Sequence, residues 1–267
     1  MKYKSIFLYI YFLLTFASCT VVNNTSVIKN PPYTQFVKIY KNITVTRCLK
    51  DAVESSESNC ETKSLSSTGS GAFVRLVKDI SVVLTAGHVC DNFIKLPKED
   101  KKYNYSLESS IVVQDHNSSF YNSKVILSEQ SSKNPKHADL CSLVVDIKSK
   151  KNKNNGLILE THPPKRGEDI YYMGAPMGIY HPPSVLLVKG VFSGKIDKIS
   201  SLTTAPAAPG SSGSSVLSLR NRIYGVLFAV HPSFNTASVI TTYNKTKNFL
   251  ARTKKILELF ILQQDDT

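Results

Sequence analysis

The strongest constraint in this sequence is its punctuation. Short apolar or alternating runs follow one another, each closed by Gly, Pro, Asn or Asp-containing turns. Candidate strands lie at 36–46, 70–77, 80–85, 111–114, 124–127 and 140–146, then at 169–173, 184–196, 215–219, 223–230 and 237–240. Many short strands spaced in this way predict an all-β chain, built as a sandwich or as barrels. Lys78-Asp79 between two of the runs is a hairpin signal. The polar stretch 48–67 reads as a surface loop. The Lys- and Asn-rich segment 148–156, which ends in Gly156, reads as a linker between two halves. Only the C-terminus has a helical pattern: Phe249, Leu250, Thr253, Ile256, Leu257, Phe260 and Ile261 share one face, with Lys247, Lys254 and Lys255 opposite. That helix is expected to pack on its own domain. No repeat of fixed period is present.

The length of 267 residues suits one large β unit, since all-β folds run to about 200–250 residues undivided. The start of the chain reads as a targeting segment. Lys2 and Lys4 precede an apolar run at 6–16 that is too short to span a bilayer as a helix. Phe16-Ala17-Ser18-Cys19 resembles a bacterial lipoprotein cleavage sequence. Residues 1–18 are therefore expected to be a signal peptide, Cys19 a lipidated new N-terminus, and 19–35 a tether. The other reading is an ordinary signal peptide cut near Ser18. Either way the chain is exported, as a periplasmic or cell-surface lipoprotein or as a soluble secreted protein.

Export changes what the cysteines mean. Setting Cys19 aside leaves Cys48, Cys60, Cys90 and Cys141, an even number in an oxidising compartment, with three possible pairings. No CxxC occurs, and no Cys pair stands with a His pair at zinc-ligand spacing, so neither a metal nor another cofactor is expected. The net charge is +13, and only six of the basic residues are Arg. Nucleic-acid readers lean on Arg and stacked aromatics. Scattered Lys argues instead for a solvated surface, and no nucleic-acid partner is expected.

Three local signals could together supply acyl-transfer chemistry. This needs a hydroxyl, an imidazole that takes its proton, a carboxylate behind the imidazole, and donors for an oxyanion. The first is Thr85-Ala86-Gly87-His88-Val89-Cys90, where a β run ends and small residues let the chain turn into His88. The second is His137-Ala138-Asp139-Leu140, where Asp139 opens an apolar strand. The third is Pro209-Gly210-Ser211-Ser212-Gly213-Ser214, where two glycines bracket Ser212 and Gly210 lets successive amides face one point. Each signal alone is weak. Their order, His then Asp then Ser between β runs, makes them strong together. The order is not that of α/β-hydrolases, and Ser212 is not in a G-x-S-x-G turn.

These residues, with Ser70-Gly71-Ala72-Phe73-Val74 ahead of them, resemble the trypsin-like serine proteases, nearest the bacterial HtrA-like and glutamyl-endopeptidase-like branches without a PDZ domain. Met173-Gly174-Ala175-Pro176-Met177-Gly178 and Gly190-Val191-Phe192-Ser193-Gly194 are similar to further strands and turns of that family. The resemblance implies two six-stranded antiparallel β-barrels, about 36–147 and 157–243, followed by a helix at about 244–263. It implies His88 as base, Asp139 as orienting carboxylate, Ser212 as nucleophile, and the amides of Gly210 and Ser212 as the oxyanion hole. Protein or peptide substrates are the implied partners. Ser211 replaces the usual Asn or Asp, and Ser214 and Ser215 replace Gly and Pro. The implied substrate pocket is lined by Ala207, Leu227, Ala229 and Val230, all uncharged, which predicts small aliphatic side chains before the scissile bond. Cys90 and Cys141 each lie two residues after a triad member, so they should pair, leaving Cys48 to pair with Cys60. The competing functions are a catalytically silent binding module on the same fold and a basic surface lipoprotein.

Overall fold

The computed structural model describes residues 28–50, 60–91, 96, 100, 102–130, 134, 136–147, 156–231 and 234–265. The expected signal peptide, Cys19, the tether up to residue 27 and the linker residues 148–155 lie outside the described residues.

The described strands close into two antiparallel barrels. The first is formed by β1 (Phe36–Leu49), β2 (Cys60–Val74), β3 (Val82–Thr85), β4 (Tyr103–Gln114), β5 (Phe120–Glu129) and β6 (Leu140–Val145), in the order β1-β2-β3-β6-β5-β4. The second is formed by β7 (Asp169–Gly174), β8 (Leu186–Lys195), β9 (Ser200–Thr203), β10 (Ser215–Ser218), β11 (Ile223–His231) and β12 (Phe234–Thr241), in the order β10-β11-β12-β9-β8-β7. On β1 the period of two sends Val37, Ile39 and Ile43 to the same face, where they are buried with Val83, Val113 and Leu143. With no Trp in the chain, the core of the second barrel relies on Tyr172, Tyr224, Tyr243 and Phe192, packed with Ile170, Val216, Leu227 and Ile240.

A one-turn helix, α1 (Gly87–Cys90), follows β3, and the C-terminal helix α2 (Tyr243–Asp265) follows β12. Phe249, Leu250, Thr253 and Leu257 of α2 are buried, as the helical pattern predicts. The helix reaches back from the second barrel to the first: Thr253 Oγ1 lies 3.2 Å from Ser142 Oγ on β6, and Arg252 pairs with Glu129 at the end of β5. The expected apolar face runs out before the helix does. Phe260 is 57 % exposed, because by that turn α2 has passed beyond the barrels' packed surface.

Several strand expectations need correction: β4 begins at Tyr103 rather than Ile111, and β5 runs from Phe120 to Glu129 rather than over 124–127. The stretch 48–67 is not a loop throughout. Cys48 lies at the end of β1, Cys60 opens β2, and residues 60–67 pair in register with β1 from Cys48↔Cys60 to Lys41↔Ser67. This outer ribbon is solvated on β2, so it lacks the apolar alternation that marks a half-buried strand. The short strand β9 has no signal in the sequence pattern. Its Ser200-Ser201-Leu202-Thr203 sequence is too polar to signal a strand, yet Ser201 and Thr203 are buried between β8 and β12.

Candidate active site

β3 ends at Thr85, and Ala86 and Gly87 turn the chain into α1, which carries His88. The turn is crowded. A Cβ on Gly87 would lie 2.0 Å from the Glu129 carbonyl oxygen and 2.7 Å from Asp139 Oδ1, so only glycine fits. Asp139 stands just before β6, which pairs with β3, so the sheet itself sets the two segments side by side. The carboxylate grips His88 twice: Oδ1 accepts the backbone amide and Oδ2 accepts Nδ1, both at 2.8 Å. Asp139's side chain is 12 % exposed and the imidazole 41 %. A carboxylate only accepts, so Nδ1 carries the proton and Nε2 is left as the basic nitrogen.

The disulfide Cys90–Cys141 joins the end of α1 to β6, with a Cα separation of 6.4 Å. It ties the His88 segment to the strand that follows Asp139. Cys48–Cys60 bridges paired positions of β1 and β2. Both expected pairings are present.

Ser212 arrives from the second barrel. Residues 208–211 form a hydrogen-bonded turn, Ser211 N to Ala208 O at 2.9 Å, with Pro209 and Gly210 as the central pair and Gly210 at φ +92°. This is the type II pattern, in which Pro presets the first corner and Gly takes the positive φ of the second. Gly213, at φ +93°, has no room for a Cβ: Ser70 O would lie at 2.0 Å, Thr85 Oγ1 at 2.1 Å and Ala86 N at 3.1 Å. The loop bearing Ser212 is therefore pressed against the chain leading into His88. Ser212 O also accepts Ser70 N at 2.8 Å. The Ser212 hydroxyl itself makes no hydrogen bond to the imidazole among the described residues; such contacts are often long until substrate binds.

The loop's amides fall into two groups. Gly213 N donates to Leu227 O, Ser214 N to Ser211 O and Ser211 N to Ala208 O. The amides of Gly210 and Ser212 have no acceptor among the described residues. In each case the carbonyl of the same peptide is anchored: Pro209 O accepts Met177 N at 2.6 Å, and Ser211 O accepts Ser214 N at 3.0 Å. A trans peptide directs its N–H opposite to its C=O. Fixing the two carbonyls thus aims the two free N–H groups out of the loop. The anchoring amide of Met177 lies in the 176–178 turn, where Met177 and Gly178 take positive φ. The chain does not show this link in its sequence, because it joins turns over thirty residues apart.

Two barrels with this constellation at their junction are the arrangement of the trypsin-like peptidase domain, which matches residues 69–226. The chain belongs to the trypsin-like peptidase family. Its fold is similar to that of the Rv3671c protease of M. tuberculosis in its active form, with a TM-score of 0.54 and 16 % identity over 83 % of this chain and 84 % of that one. It is also similar to the serine endoprotease of Yersinia pestis, with a TM-score of 0.55 and 14 % identity over 84 % of this chain and 64 % of that one. At such identities the likeness is one of fold. No curated protein matches the chain.

Of the residues expected around a peptidase's primary pocket, Ala207 packs against the core cluster and Leu227 lies inside it, 2 % exposed. Ala229 is half-buried and Val230 is 37 % exposed. The backbone of Leu227 is bonded twice to the Ser212 loop, through Gly213 N and Ser214 O. The segment 205–209 is held by Tyr172, whose hydroxyl donates to Pro206 O at 2.5 Å. Burial pushes the Tyr172 hydroxyl above its ordinary pKa, so it remains a neutral donor. The side chain of His231, the last residue of β11, lies outside the described residues.

Proposed function

We propose that this trypsin-like peptidase is an active serine endopeptidase that cleaves protein or peptide substrates through an acyl-enzyme on Ser212. His88 takes the Ser212 proton through Nε2 and returns it to the leaving amine. Asp139 holds the imidazole in the required tautomer and stabilises the imidazolium. The amides of Gly210 and Ser212 bind the oxyanion of the tetrahedral intermediate. The observation that carries this reading is the pair of hydrogen bonds that Asp139 accepts from His88, beside a loop that carries Ser212 and two unengaged amides. A silent binding module would have no need for both a tautomer-setting carboxylate and unpaired, pre-aimed amides.

A fluorophosphonate probe tests the reading. It should label the wild-type protein once, at Ser212, and fail to label Ser212→Ala or His88→Ala, and casein-type hydrolysis should disappear with the label. Equal hydrolysis by Ser212→Ala would overturn it.

The place of action belongs to the same proposal. The basic, apolar and small-residue order of the first nineteen residues supports export, with Cys19 as a lipid anchor. Detergent-phase partitioning that is lost in Cys19→Ser supports the anchor, and a wholly aqueous wild-type protein replaces it with a soluble secreted form.

A further inference from the structure

Ser70 lies on β2 of the first barrel, is completely buried, and every polar atom it has is engaged towards the active site. Its amide donates to Ser212 O at 2.8 Å, and its carbonyl accepts Thr85 Oγ1 at 2.7 Å. Its hydroxyl donates to Gly210 O at 2.7 Å and accepts Ala175 N at 3.0 Å. One side chain of the first barrel thus binds two separate turns of the second, the 208–211 turn and the one opened by Ala175. The same two turns also bind each other, through Met177 N and Pro209 O, and they are in close contact: a Cβ on Gly210 would lie 2.5 Å from Ala175 O.

We propose that the Ser70 hydroxyl is a positioning group for oxyanion stabilisation, a latch across the two barrels that fixes the peptide plane following Gly210. This rests on the proposed acyl-transfer function of Ser212. The Gly210–Ser211 peptide is held at both ends, its carbonyl by Ser70 Oγ and its N–H by Ala208 O. If the carbonyl end is released, that plane keeps only the bond from Ser211 N to Ala208 O and gains room to rotate about the flexible Gly210. Rotation there changes where the Gly210 and Ser212 amides point, although Ser70 never touches substrate. Donors for an oxyanion act through fixed placement, and small misplacements are expensive in rate.

The test compares wild type, Ser70→Ala and Ser70→Cys, each rate normalised to active centres titrated with a fluorophosphonate. Cys fills nearly the same space with a weaker donor and acceptor, so it serves where the Ala variant folds poorly. The proposal expects kcat per titrated centre to fall about 10–100-fold in Ser70→Ala and less in Ser70→Cys, with KM within about threefold. Affinity for a peptide aldehyde, whose adduct carries the oxyanion, should fall by the same factor as kcat. A purely structural role would lower the number of titrated centres or the unfolding temperature and leave kcat per centre unchanged, and that result in either variant overturns the proposal. So does a fall in kcat with aldehyde affinity unchanged. Failure of the underlying peptidase reading would show separately, as a wild-type protein that neither titrates nor hydrolyses.

Discussion

Asp139 accepts both the backbone amide and Nδ1 of His88, each at 2.8 Å. The pairing locks two degrees of freedom together. The bond to the amide fixes where α1 begins, and the bond to Nδ1 fixes which way the ring turns and which nitrogen is basic. Neither can shift without the other, and the β3–β6 pairing beneath them sets the distance between the two segments.

Asp139→Asn should therefore keep the fold and lose the tautomer. An Asn can still accept one bond, but its NH₂ favours the imidazole form with the proton on Nε2, where it cannot serve as a base. We expect kcat to fall about 10³–10⁴-fold with little change in unfolding temperature. Hydrolysis within tenfold of wild type would remove Asp139 from the mechanism.

The two disulfides should separate stability from activity. Cys90–Cys141 closes 51 residues and Cys48–Cys60 closes 12. On the chain-entropy account, removing them costs about 4 and about 3 kcal/mol respectively. Only the first links the His88 segment to β6. Replacing Cys90 and Cys141 by Ala should lower both the urea midpoint and kcat, whereas replacing Cys48 and Cys60 should lower the midpoint alone. Paired urea titrations and steady-state assays at one temperature decide this, and equal loss of kcat in both variants would contradict it.

Much of this site is legible in the sequence because its chemistry is carried by short, local patterns. The Gly87-His88 stretch announces a sharp turn at the end of β3 and Gly210-Ser211-Ser212-Gly213 one ahead of β10, and the spacing of Cys90 and Cys141 from His88 and Asp139 already implies their bridge. What escapes sequence reading depends on distant partners. Ser70 reads only as a small residue in a strand, and Met177 as part of a turn, until the 208–211 turn is folded against both. The outer half of β2 escapes for a different reason. Strands are recognised by one apolar face, and residues 60–67 have none, since their pairing with β1 takes place in a solvated ribbon. β9 fails the same test from the opposite side: its hydroxyl-bearing residues are buried and satisfied by partners such as Ser238, which lies 2.9 Å from Thr203 Oγ1.

Acid should expose a buried carboxylate far from the chemistry. Glu160 has a fully buried side chain. Burial pushes its carboxyl up, but hydrogen bonds from the Thr161 amide, the Ser218 hydroxyl and the Thr161 hydroxyl, together with Arg220 at 3.0 Å, outweigh this and hold it below the ordinary 4.5. A depressed folded-state pKa contributes stability that is complete above about pH 4.5 and is lost as pH falls through the folded value. Glu160→Gln should therefore be less stable than wild type by about 1–3 kcal/mol at pH 7, and the gap should narrow below pH 4.5. Urea midpoints at pH 7 and pH 3.5 measure it. A gap that is the same at both would mean the charge of Glu160 is not what stabilises this corner.

We propose that substrate preference is set by the segments that the family resemblance places around the primary pocket. The segment 205–209 is Ala-Pro-Ala-Ala-Pro, held by the Tyr172 hydroxyl, and Ala229 and Val230 follow on β11. None carries a charge, so nothing there repays the desolvation of Lys, Arg or Glu. Leu227 is withdrawn into the barrel core, while Val230 is 37 % exposed, and we propose that Val230 makes the pocket shallow. We expect Ala or Val before the scissile bond, with weak discrimination, since one methylene is worth only about 1–3 kcal/mol in such a pocket. Cleavage of a peptide library read by mass spectrometry tests this. Val230→Gly should shift the preference towards Leu or Phe by removing the whole isopropyl side chain. A dominant Arg, Lys or Glu before the cut would show instead that a charged group outside these segments defines the pocket.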